Sequence, residues 1–264
     1  MDIHDEFNIY PHLATAERYL PKCVKDALIA FPNDLILAGG FLRTVSCGER
    51  PYSDHDLFLT EKGKKFEGHV VSFLAQQQPL DFETEWHVTP RAVTARINGH
   101  VVQLVLGWNP KDPMDLIRQF DLTTSKAALW YAESNPYSIR GICSQSFLRD
   151  ISQRAIVYET GTDPVSSIIR ITKFMRRGFT ISSRSLVDFI AACCAQVLAR
   201  NTPLDINAVD LESIQRYILR AIVQRDPSPE MMSGLLDDRT GIDAPAFEHL
   251  KTAALVERLL RASH

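Results

Sequence analysis

The chain has 264 residues, 45% of them hydrophobic and 23% charged, with 29 basic side chains against 32 acidic ones and a net charge of −3. This is globular composition, long enough for one large domain or two modest ones. It excludes a membrane span of about 18 uninterrupted apolar residues and a chain that is basic overall, and residues 1–20 are too acidic and broken for a signal peptide. The five cysteines, Cys23, Cys47, Cys143, Cys193 and Cys194, are odd in number, lack C-x-x-C spacing and include an adjacent pair, which argues against a disulfide scaffold or structural zinc module and for a reducing, cytoplasmic setting.

In chain order, residues 13–31 read as a helix that Pro21 kinks or restarts. Leu35 to Ala38 is a short apolar run ending in Gly39-Gly40, the pattern of a buried strand meeting a tight turn. Residues 41–46 suit a short helix, His55 to Thr60 a second strand, and residues 63–77 a helix with Phe66, Val70, Phe73 and Leu74 on one face. Phe82 to Thr89 alternates loosely. Ala92 to Ile97 and His100 to Leu106 flank Asn98-Gly99, whose residues tolerate the positive φ of a type I′ turn, so this is a hairpin. A short helix covers 113–118, and 122–143 is open between helix and hairpin. From Phe147 onward the spacing is helical, over 163–177, 183–200, 210–224 and 244–262. The expected class is α+β: a small mixed-sheet domain over residues 1–145 with an N-terminal helix, followed by an all-helical domain over 146–264.

The chemistry concentrates between Leu35 and Thr60. Paired glycines after a buried strand leave backbone N–H groups that a phosphate can approach with no Cβ in the way. Asp54 and Asp56, at i and i+2, project to one face of a strand. Two adjacent carboxylates repel unless a cation lies between them, and magnesium, which takes oxygen ligands and phosphate oxygens, is the natural candidate. An isolated D-x-D is a common solvated pair; a strand, Gly39-Gly40, Arg43 and then Ser53-Asp54-His55-Asp56 within one short segment is a rarer conjunction.

That conjunction resembles the active-site signature of the nucleotidyltransferase superfamily, which includes DNA polymerase beta, poly(A) polymerases and CCA-adding enzymes. Arg118-Gln119-Phe120-Asp121-Leu122-Thr123 looks like a degenerate R-R-D-F-T motif of bacterial poly(A) polymerases and CCA-adding enzymes. Asp163-Pro164, Arg170, Lys173-Phe174 and Arg177-Gly178-Phe179 are similar to the helix that opens their next domain. The resemblance covers residues 33–180, and the E-D-x-x-R element that reads the incoming base in those enzymes is not found.

The resemblance implies magnesium-dependent, two-metal transfer of a nucleoside monophosphate from a nucleoside triphosphate to an acceptor hydroxyl. Asp54 and Asp56 would hold the metals. Gly39 and Gly40 would cradle the triphosphate, with Arg43 near the phosphates or on the surface, and Ser53 donating to a phosphate or capping the turn. Asp121 would serve the nucleotide site or cap the following helix. Arg170 and Lys173, with Arg177, form a basic stripe suited to a triphosphate or an RNA backbone, or a solvated helix face. The superfamily's third carboxylate falls on the strand His100–Val105, where Gln103 offers a metal only a neutral carbonyl oxygen. Glu83, Glu85 or Asp121 could supply the missing charge, two carboxylates could suffice, or catalysis could be lost. The acceptor implied first is an RNA 3′ end of tRNA type; a protein or small-molecule acceptor, and a non-catalytic nucleotide binder, are the alternatives. Oligomeric state is not encoded in any pattern identified.

Overall fold

The computed structural model describes residues 7–49, 54–77, 86–133, 138–159 and 164–200. Glu83, Glu85, Ser53 and the helices expected over 210–224 and 244–262 lie outside the described residues. The chain divides into two compact units, Met1–Gln153 and Arg154–His264.

The first unit is built on an eight-stranded mixed sheet. Its strands are β1 (Phe7–Ile9), β2 (Leu35–Ala38), β3 (His55–Leu59), β4 (Trp86–Thr89), β5 (Ala92–Ile97), β6 (His100–Val105), β7 (Ala127–Tyr131) and β8 (Ile139–Ser144). Across the sheet they run β1-β8-β7-β2-β3-β6-β5-β4. The β3–β6 pair is parallel and every other adjacent pair is antiparallel. All four residues of β2 are buried, because helices cover both faces of the sheet there. A strand in that setting reads as a continuous apolar run instead of an alternating one.

On one face, Ile36, Ala38, Phe58 and Ala128 form a core with Leu116, Ile117 and Phe120, contributed by α5 (Pro113–Arg118) and the residues just after it. Asp112 starts α5 by accepting from the Asp115 N–H at 2.8 Å, with Pro113 in the first turn, a pairing that supplies one orphan donor with a partner and presets φ. On the opposite face lie α2 (Lys22–Ala30) and α3 (Gly40–Ser46). The expected helix over 13–31 is two helices, α1 (Leu13–Tyr19) and α2, separated at Leu20-Pro21. After β3 a 3₁₀ turn, Gly63–Phe66, leads into α4 (Glu67–Gln76).

Asn98 and Gly99, at φ +50° and +80°, make the expected tight turn between β5 and β6. The open question over 122–143 resolves as a hairpin, β7 pairing with β8. Ser144 then caps α6 (Gln145–Ser152), its hydroxyl accepting from the Phe147 N–H at 3.0 Å.

The second unit contains β9 (Ala155–Ile156), α7 (Pro164–Met175), β10 (Thr180–Ile181) and α8 (Ser183–Arg200). Ile168, Ile171 and Phe174 of α7 and Leu186, Phe189 and Cys193 of α8 are buried. The expectation of helices alone is corrected here by β9 and β10, which pair in parallel; at two residues each they are too short to show a strand period. Among the described residues no helix is long and apolar enough to cross a membrane.

Candidate functional site

β2 and β3 run antiparallel with Ala38 opposite Asp56, and β3 and β6 run parallel with Asp56 opposite Gln103. Asp56 is therefore the middle member of a row whose next member on β5 is Thr94, opposite Gln103. Residues in register share a face, so Asp56, Gln103 and Thr94 project together. Asp54 lies one residue before β3 and is exposed, whereas Asp56 is half-buried.

The chain leaves β2 at Gly39, whose φ of +83° and ψ of −131° belong to a region that only glycine occupies without strain. A Cβ built there would lie 3.3 Å from Asp56 Oδ2. The glycine turn and the carboxylate thus face each other across one strand gap, with α3 beginning at Gly40. Arg43, on α3, is only 3% exposed, which removes the surface-cation reading of that residue.

The segment carrying Asp121 comes to the same end of the sheet. A 3₁₀ turn, Thr123–Ser125, packs against α3 and runs into β7, where Ala128 pairs with Ala38. Asp121 is buried, and the position that starts the turn is Leu122, so Asp121 occupies no cap position. Thr123 Oγ1 donates to Asp150 Oδ2 at 2.6 Å, and Arg149 on the same helix donates to both Asp150 oxygens, at 2.7 and 3.1 Å. Asp150 is 1% exposed. This clamp was not visible in the sequence, since its two halves lie on either side of a hairpin.

His55, between the two aspartates, turns to the other face. It is buried with Nδ1 3.1 Å from the Val101 carbonyl oxygen and its ring 4.9 Å from that of Phe41. Burial pushes its pKa down from the ordinary 6.5, against smaller upward effects of the Val101 carbonyl and Asp54. It is a packing residue on the reverse side of the site.

Gln103 is fixed on one side: its Nε2 donates to Thr94 Oγ1 at 3.0 Å. Among the described residues no three His, Cys, Asp or Glu side chains gather as a metal-binding group. The oxygen donors in register here are the Asp56 carboxylate and the Gln103 amide, with Asp54 one residue before β3. Oxygen donors of this kind suit a hard cation such as magnesium and do not suit zinc or copper. Arg170, half-buried, and Lys173, exposed, lie on α7 in the second unit.

No protein-family model matches the sequence, and no curated protein does. Solved structures do match the fold. The Thermotoga maritima CCA-adding enzyme complexed with tRNA aligns at 15% identity and a TM-score of 0.51, over 97% of this chain and 60% of that one. CCA-adding enzyme in complex with CTP aligns at 14% identity and 0.51, over 97% and 60%; the complex with ATP aligns at the same identity and TM-score, over 97% and 61%. At these identities the likeness is one of fold. The chain spans about 60% of the length of these enzymes.

Proposed function

We propose that the chain is a magnesium-dependent, template-independent nucleotidyltransferase that moves a nucleoside monophosphate from a nucleoside triphosphate to an acceptor hydroxyl, the acceptor being the 3′ end of a tRNA-like RNA. The observation that carries the reading is the meeting of Gly39 with Asp56, at 3.3 Å from a notional Cβ to Oδ2, with Asp54 two residues earlier. Neighbours that share the fold are CCA-adding enzymes, complexed with tRNA, CTP or ATP, and this supports the choice of substrates.

In this reading Asp54 and Asp56 hold two magnesium ions, with the Gln103 carbonyl oxygen as a neutral third donor. Bound there, magnesium supplies charge to neutralise the triphosphate and lowers the pKa of the acceptor hydroxyl. The acceptor oxygen attacks the α-phosphorus, the bond from that phosphorus to the α,β-bridging oxygen breaks, pyrophosphate leaves and the hydroxyl proton passes to solvent. Gly39 and Gly40 admit the triphosphate close to the backbone, where a Cβ would intrude on Asp56. Arg43, Ser53 and Asp121 contact the nucleotide, and Arg170 and Lys173 of the second unit bind phosphates. A cytoplasmic setting, with the nucleotidyltransferase domain over residues 1–145 and a mainly helical one, carrying the short β9–β10 pair, over 146–264, completes the proposal.

The neutral Gln103 favours one competing reading, a protein that binds nucleotide without turnover. The deciding experiment supplies magnesium, each of four α-labelled nucleoside triphosphates in turn, and total cellular RNA and protein as acceptors, with Asp54→Asn/Asp56→Asn as control. Label in RNA with one nucleotide, lost in the control, supports the proposal and names the donor. Label in a protein band moves the acceptor to a protein side chain. Nucleotide bound with no label transferred supports the competing reading.

A further inference from the structure

The row Asp56–Gln103–Thr94 spans three neighbouring strands, and its last member has no place in the function proposed above. Thr94 sits on β5, directly across from Gln103 and on the far side of β6 from Asp56. Its hydroxyl oxygen accepts a 3.0 Å bond from Gln103 Nε2.

An amide is a planar fork with a donor on one prong and an acceptor on the other. Whichever way its nitrogen turns, its oxygen turns the other way. With Nε2 held toward β5, Oε1 is the prong left for the β3 side, where the carboxylates stand. Reversed, the amide would bring its N–H groups toward Asp56, bonding that carboxylate and repelling a cation. The orientation of Gln103 therefore decides whether the position serves a cation or competes with it.

We infer that Thr94 is a positioning residue: by accepting from Gln103 Nε2 it turns the amide oxygen toward Asp56 and makes Gln103 a neutral third donor for a divalent cation. The inference rests on the reading of Asp54 and Asp56 as a cation site. It assigns to Thr94 the orienting part that outer partners play around metal ligands, where their loss weakens affinity by about 10–100-fold. Valine is close to threonine in shape and suited to a strand, so Thr94→Val removes the hydroxyl and leaves the packing of β5 intact.

The experiment measures Mn2+ binding to the full chain without nucleotide, by electron paramagnetic resonance of the free ion. Proteins compared are the wild type, Asp54→Asn, Thr94→Val, Thr94→Ser, Gln103→Ala and Gln103→Ala/Thr94→Val. The expected result is a dissociation constant raised about tenfold in Thr94→Val and restored in Thr94→Ser. Thr94→Val should add nothing in the Gln103→Ala background, because the two residues then share one effect. Equal affinity of Thr94→Val and wild type, with Asp54→Asn still weakened, overturns the inference and leaves the cation site standing. An equal loss from Thr94→Val with and without Gln103 also overturns it, since the hydroxyl would then act by another route. Affinity that is unchanged in Asp54→Asn overturns the reading of the site itself, and the inference with it.

Discussion

Gly39 and Asp56 constrain each other. The notional Cβ of Gly39 lies 3.3 Å from Asp56 Oδ2, and its backbone holds φ at +83°. Alanine at this position meets both conditions unfavourably: the backbone strain costs about 1–3 kcal/mol, and the methyl group presses on the carboxylate. Gly39→Ala should therefore lower the urea midpoint and also weaken divalent-cation binding. Gly48 sits at φ +70° with open space around its notional Cβ. Gly48→Ala should lower the midpoint while leaving cation binding unchanged, which separates strain from the steric effect on Asp56.

Asp54 and Asp56 differ in burial, and their replacements should differ accordingly. Asp54 is exposed, and a surface substitution of this kind changes stability by no more than about 0.5 kcal/mol. Outer partners of metal ligands are worth about 10–100-fold, so on the proposed role of Asp54 as a magnesium ligand its loss should reduce transfer by at least roughly the upper end of that range. Asp54→Asn is expected to keep its thermal midpoint and lose pyrophosphate release. Wild-type turnover in Asp54→Asn would remove this residue from the site.

The local parts of this arrangement were legible in the sequence because their signals are short-range. Gly39-Gly40 after an apolar run fixes the turn, and Asn98-Gly99 fixes a hairpin; Asp54, expected to share a strand face with Asp56, lies one residue before β3. What escaped depends on partners distant in the chain. β7 is covered on both faces, so its residues show no alternation and 122–143 could be read either way. β1 is a three-residue edge strand with Ile9 81% exposed, leaving no apolar face to read. The burial of Arg43 on α3, an element packed against strands and a turn distant in the chain, is one that no spacing encodes. Thr94 acquires meaning only from its register with Gln103.

His55 gives the fold a pH dependence of definite sign. Burial lowers its folded-state pKa below the ordinary 6.5, so between the two values the unfolded chain binds the proton more readily. Stability then rises with pH through that window and is lost as pH falls below about 6.5, where the unfolded imidazole protonates first. Urea midpoints measured from pH 7 down to pH 5 should decline in the wild type. In His55→Gln, which keeps an N–H able to reach the Val101 carbonyl and cannot titrate, the same series should be flatter. Parallel slopes would assign the dependence to other groups.

The clamp between α6 and the Thr123–Ser125 turn makes the last prediction. Asp150 is almost wholly buried, accepts from the Thr123 hydroxyl at 2.6 Å and from Arg149, and so ties α6 to the turn that follows Asp121. Arg149 is 56% exposed at its side chain, so water can serve it when Asp150 is removed; the buried Thr123 hydroxyl has less recourse. Hydrogen bonds to a charged group contribute about 1.5–3 kcal/mol, and Asp150→Ala should destabilise the chain by an amount in that range. Asp150→Asn keeps an acceptor oxygen for Thr123 and should lose less. Because α3 packs on the same turn, loosening it should raise the nucleotide KM more than it lowers kcat in transfer assays run well below the unfolding temperature. A fall in kcat alone, with KM unchanged, would mean that the turn does not help to hold the nucleotide.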